Sequence, residues 1–164
     1  MRSDFEDKFE KAIKFLKNSE ISSPNKPVIP HALRVGKILY EKGFDDEVVT
    51  AGLLHDLLEW SETAEKEIEE KFGKRVLELI KANSKDRSIK DSHERRKDIV
   101  ARCRKIGDDA LAIKIADTLD SFQYYTGIKK EKELERCREI MSLLKENLSD
   151  KLKEVFSNEL KVIF

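Results

Sequence analysis

The chain has 164 residues, 39% of them hydrophobic and 40% charged, with Lys+Arg and Asp+Glu equal at 33 each. That length suits one domain with its own core, and the balanced charge gives no global field for nucleic acid or a membrane surface, so neither partner is expected. With so much charge, apolar residues can be buried only as narrow stripes, which amphipathic helices provide most readily.

The opening residues MRSDFEDKFE carry charge and no apolar core, so they are not expected to act as a secretory signal. Ser3 is a plausible N-cap for a helix lined by Phe5, Phe9, Ala12, Ile13 and Leu16 and ending near Asn18. All three prolines follow, at Pro24, Pro27 and Pro30, so SSPNKPVIP reads as an extended connector. Pro30 stands where a helix can begin, and His31 to Lys42 reads as that helix, ended by Gly43. Asp45 or Asp46 then caps a helix running through VVTAGLLHDLLEW. Ile68 and Phe72 mark the next, stopped by Gly73, and Val76, Leu77 and Ile80 a short one after it. NSKDRSIKDS is the most polar stretch and is expected to be a surface loop. Ser92 caps a helix from His93 to Ile106, ended by Gly107; Asp108 or Asp109 opens ALAIKIADTLDSFQYY, stopped near Gly127. Leu134, Cys137, Met141, Leu144 and Leu148 line a further helix, and Leu152, Val155, Phe156 and Leu160 a last one.

No alternating β-type run, Gly-rich phosphate loop or internal repeat appears. The expectation is an all-α fold, a single-domain helical bundle over residues 1–164. Cys103 and Cys137 are too far apart and too few for a zinc knuckle or a disulfide framework and read as buried thiols. No stretch is long and apolar enough to span a bilayer, so a cytoplasmic location is expected. The oligomeric state is open, and a homo-oligomer is compatible with the chain.

Two places break the helical economy. In AGLLHDLLEW, His55, Asp56 and Glu59 interrupt four leucines. Isolated carboxylates are rarely buried, because desolvation is costly unless a cation pairs with them. His55 and Glu59 are four apart and Asp56 and Glu59 three apart, so all three project toward one flank. In AIKIADTLDSF, Asp117 follows a run of small and branched apolar residues and also needs a cation. His31 is the remaining candidate nitrogen ligand. On residues alone, His31 reads more readily as a helix cap or surface residue, and Asp117 more readily as a salt-bridged helix residue, than as a ligand. Imidazole and carboxylate donors suit one divalent ion such as Mn²⁺, Fe²⁺, Co²⁺, Ni²⁺ or Zn²⁺, or Mg²⁺.

His31, then His55-Asp56, then Asp117 in IADTLD resembles the H…HD…D signature of the HD-domain superfamily of metal-dependent phosphohydrolases. The pieces KPVIPHALRVGKIL, AGLLHDLLEWSE, EEKFGKRVLELI, HERRKDIVARC and LAIKIADTLDSF, within about residues 27–125, are similar to the stringent-response alarmone (ppGpp) hydrolases. The resemblance implies an all-α HD-type bundle. It also implies His31, His55, Asp56 and Asp117 as ligands of one divalent metal, Mn²⁺ first, and Glu59 as the residue that positions or activates water. The expected activity is hydrolysis of a phosphomonoester or pyrophosphate ester, with a small-molecule phosphate ester or nucleotide as substrate. Arg34 and Arg96 (with its neighbour Arg95) and Ser121 are candidate substrate contacts. The chain departs from the alarmone pattern at Trp60, where an acid is usual, at Ser121 in place of Asn, and at Ser22-Ser23 in place of a basic pair. Two alternatives therefore stand beside the main reading: a true ppGpp 3′-pyrophosphohydrolase, and a catalytically degenerate module that binds metal and nucleotide.

Overall fold

A computed structural model, describing residues 1–163, resolves the apolar stripes into α-helices, with no strand among the described residues. In chain order these are α1 (Asp4–Lys8), α2 (Glu10–Asn18), α3 (Val28–Glu41), α4 (Asp46–Leu54), α5 (Leu57–Trp60) and α6 (Glu65–Phe72). Then follow α7 (Lys74–Ala82), α8 (Ser92–Ile106), α9 (Asp108–Gly127), α10 (Glu131–Lys145), α11 (Asp150–Val155) and α12 (Ser157–Ile163). Helix α9 is the axis, packed against α3, α4, α8 and α10, while α4 also meets α2, α3 and α7. Its residues Ala110 through Ala116 are buried on every side, which suits a helix wrapped by neighbours better than a one-sided stripe. One cluster of buried apolar residues runs from Phe5 to Ile163 and joins nearly all the helices. No helix among the described residues is long and apolar enough to cross a membrane. Cys103 and Cys137 are free, buried thiols.

Several boundaries differ from the sequence expectation, each for a local reason. The first helix divides at Phe9 into α1 and α2, and the last divides at Phe156 into α11 and α12. Helix α3 begins at Val28, not His31, with Pro27 as cap and Pro30 inside the first turn. First-turn amides have no helical acceptor, so Pro30's missing N–H costs nothing there. Asp91, not Ser92, caps α8, its carboxylate accepting from the Glu94 amide at 2.9 Å. A single residue, Gly107 at φ +128°, turns the chain from α8 into α9. The polar stretch 83–91 is a loop, as expected, but its first residue Asn83 is buried.

The expected continuous helix through VVTAGLLHDLLEW is broken at His55-Asp56 into α4 and α5. The His55 ring donates from Nδ1 to the Gly52 carbonyl at 2.7 Å. It competes there with the helical bonding of that turn, and the break swings Asp56 and Glu59 into a cleft.

Candidate metal centre and substrate cleft

Four side chains from three parts of the chain converge. His31 comes from the first turns of α3, His55 and Asp56 from the α4–α5 break, and Asp117 from the middle of α9. His31 Nε2 lies 2.9 Å from Asp117 Oδ1 and 3.8 Å from Asp56 Oδ2. His55 Nε2 lies 3.4 Å from each of Asp117 Oδ1 and Asp56 Oδ2. Both rings are fully buried.

The opposite ring nitrogens fix the tautomers. His31 Nδ1 faces Asp120 Oδ2 at 2.6 Å, and His55 Nδ1 faces the Gly52 carbonyl. Both partners only accept, so each Nδ1 carries the hydrogen, and a ring without a second proton turns its Nε2 lone pair toward the carboxylates. Two lone pairs and two carboxylates then face one another with no donor among them. His55 Nε2 is buried with no hydrogen-bond partner. Such a set is stable only around a proton or a cation. Ligand–ligand separations of 2.9–3.8 Å fit the latter, because metal bonds of about 2.1 Å set adjacent ligands roughly 3.0 Å apart at right angles and 3.5 Å apart in a tetrahedron. His31, His55 and Asp117 form a group that could hold a metal ion, with Asp56 beside it.

The electrostatics agree with that reading. Burial alone would lower the His55 pKa, yet Asp56 and Asp117 outweigh it and raise it to about 9. Burial would raise Asp117, but Lys114 and the two histidines hold it well below the usual carboxylate range. Lys114 is itself buried and places its ammonium 3.0 Å from Asp117 Oδ2. One oxygen of Asp117 thus faces the histidines and the other a lysine.

A cleft with about 100 Å³ of space for water, partly open to solvent, opens beside this cluster with Asp56 and Asp117 in its wall. Glu59 also lines it, nearly buried, one oxygen accepting from the Lys85 amide at 2.7 Å and the other 3.5 Å from Arg87 Nη2. The Arg87 guanidinium lies 4.9 Å over the Trp60 ring, so the 83–91 loop folds onto α5. Ser121 lines the cleft and accepts from Lys26 Nζ at 3.1 Å. Arg96 lines it too, paired with Glu139 at 2.8 Å, and Arg95 donates to the Ile89 carbonyl. Arg34 is turned elsewhere: its Nε donates to Asp120 Oδ1 at 2.7 Å, and it is not among the cleft-lining residues.

Sequence reasoning missed Asp120, which is buried and orients His31, although its spacing three after Asp117 was a readable signal. It also missed Lys26, Lys85, Lys114 and Arg136, all in the cleft wall. These lie in a connector, a polar loop and helices where lysine and arginine abound, and nothing local sets them apart.

Comparison with known proteins follows the same lines. The sequence model described as "HD domain" matches residues 10–145. The guanosine-3′,5′-bis(diphosphate) 3′-pyrophosphohydrolase of Aquifex aeolicus is 33% identical over 119 residues, 71% of this chain and 17% of that protein. The bifunctional (p)ppGpp synthase/hydrolase SpoT of Escherichia coli K12 is 30% identical over 128 residues, 74% of this chain and 18% of that protein. The chain therefore spans less than a fifth of the length of these relatives. A solved structure described as a metazoan ortholog of SpoT that hydrolyzes ppGpp superposes with TM-score 0.67. At 22% identity, with 96% of this chain and 97% of that one covered, it bears on the fold alone.

Proposed function

The chain belongs to the HD domain family, and from that premise we propose that it is a divalent-metal phosphohydrolase acting on a nucleotide phosphate ester or pyrophosphate ester. The observation that carries the reading is the convergence of two histidine Nε2 lone pairs on the Asp56 and Asp117 carboxylates with no donor between them. His31, His55, Asp56 and Asp117 would hold the ion, with Mn²⁺ the first candidate among borderline divalent metals. When bound, such an ion lowers the pKa of coordinated water and neutralises charge on a phosphoryl oxygen.

The chain's own groups do the rest. Asp120 holds His31 in the ligating tautomer, and Gly52 does the same for His55. Glu59, with one oxygen held by the Lys85 amide, orients the attacking water and accepts its proton. Arg96 and Ser121 line the cleft and would contact the phosphate or sugar of a substrate bound there. A second reading, ppGpp 3′-pyrophosphohydrolase, is favoured by the activity named for the Aquifex aeolicus relative. Trp60, Ser121 and Ser22-Ser23 argue for a changed substrate preference.

A nucleotide panel with Mn²⁺, Co²⁺ or Mg²⁺, with ppGpp included and pyrophosphate release measured, tests both readings. Turnover is expected, and Asp56→Ala is expected to lose it together with metal while keeping its helical circular dichroism. An Asp56→Ala protein that retains one metal per chain refutes the ligand set; metal-loaded protein that turns over nothing refutes the hydrolase.

A further inference from the structure

Lys114 stands where a charge is least expected, in the apolar run of α9 between Ile113 and Ile115, with its side chain only 5% exposed. Withdrawing an ammonium from water is costly unless a carboxylate meets it. Among the described residues, its ammonium makes one hydrogen bond and one ion pair, both with Asp117 Oδ2 at 3.0 Å. The two residues are three apart on one helix, so they share a face. The pairing divides Asp117 between two partners. Its Oδ1 faces the two histidine nitrogens, at 2.9 and 3.4 Å, while its Oδ2 turns to the lysine. Asp56 is not divided in this way. Among the described residues its ion-pair contacts are with His31 and His55 alone, both through Oδ2. A carboxylate can bind a divalent ion through one oxygen or through two. One whose second oxygen already accepts from an ammonium has only the first to give.

We propose that Lys114 is a positioning residue that holds Asp117 to a single ligating oxygen, Oδ1, so that coordination positions of the ion stay open for water and substrate. The ammonium is also a like charge close to the ion, so it weakens metal binding while it keeps the site open. The inference rests on the ligand set of the proposed hydrolase and is independent of which substrate is cut. A residue that merely propped Asp117 in place would leave the opposite signature, because its loss would loosen the ion.

The test uses the full chain loaded with Co²⁺, whose visible absorption weakens as its coordination number rises. Lys114→Met keeps an unbranched apolar stem in the helix and removes the charge, and competition with a chromogenic chelator reads the affinity. The variant is expected to bind Co²⁺ roughly tenfold more tightly, the size of effect that one neighbouring charge has on a bound proton. It is also expected to absorb less per bound ion, as Asp117 Oδ2 joins the ion. A folded Lys114→Met that binds Co²⁺ no more tightly than wild type, or with unchanged absorption, overturns the proposal. If that variant does not fold, a crystal structure of the metal-loaded wild type takes its place. Asp117 Oδ2 on Lys114 and off the ion upholds the proposal; both oxygens on the ion overturn it and leave the ligand set standing. Wild type that binds no divalent metal overturns the ligand set and the role of Lys114 together.

Discussion

Asp120 shows how much the candidate metal centre depends on a residue that would not touch the ion. Its Oδ2 receives the His31 Nδ1 hydrogen at 2.6 Å while both its oxygens are gripped by Arg34, at 2.7 and 3.1 Å. Burial would raise its pKa, but the hydrogen bonds from His31 and Arg34 lower it, so it stays ionised. An ionised acceptor makes the imidazole a better donor of its Nε2 lone pair. Arg34 thus serves the cluster through Asp120. Asp120→Ala is expected to weaken metal affinity by about 10–100-fold, read by competition with a chromogenic chelator. Asp120→Asn, which keeps an acceptor without the charge, should fall between. Unchanged affinity in Asp120→Ala would show that His31 needs no such orientation.

At the scale of elements, the cluster exists because α3 and α4 approach closely. Gly36 and Gly52 make that approach possible. A Cβ at Gly36 would sit 2.6 Å from Leu53 Cγ and Cδ2, and one at Gly52 would overlap Leu39 Cδ1. Leu39 and Leu53 are fully buried. Gly36→Ala gains about 1 kcal/mol of helix propensity, but overpacking costs about 1–3 kcal/mol, so the net is a loss. Each kcal/mol lowers Tm by about 2–4 °C in a domain of this size. The same displacement parts His31 on α3 from His55 at the end of α4. A folded Gly36→Ala protein should therefore have both a lower Tm and a weaker metal affinity. A lower Tm with undiminished affinity would mean that the helices relax without moving the ligands.

For the whole molecule, the cluster couples stability to pH and to metal. His55 has a folded-state pKa raised from 6.5 to about 9 by Asp56 and Asp117, against burial. Its protonation therefore stabilises the metal-free fold fully below pH 6.5, and that stabilisation is lost as the pH rises through about 9, an effect on the order of 3 kcal/mol. Chelator-treated protein should lose Tm between pH 7 and 9. Metal-loaded protein should not, because a cation then stands where the proton would. Metal binding must displace that proton, so apparent affinity should rise by roughly tenfold per pH unit over the same interval. Thermal melts with and without chelator, paired with metal titrations at several pH values, check both trends. A flat Tm in the chelated protein would refute the link to His55.

The all-α fold was legible in the amino-acid order because 3.6-residue periodicity is a local signal, whereas His31, His55, Asp56 and Asp117 stood out as a set only through their resemblance to the H…HD…D signature. Glu59 also stood out in AGLLHDLLEW, but the break at His55-Asp56, not continuous helical spacing, brings it to the cleft. Local order could not decide what the folded chain does with its cations. Lys26, Lys85 and Arg136 are far apart in sequence and ordinary in their settings, and only the packing of the connector, the 83–91 loop and α10 around α9 brings them to one wall. Nor could it decide that Arg34 turns to Asp120, or that the helix breaks at His55. Those outcomes depend on which buried partner each group finds, and burial is a property of the assembled helices.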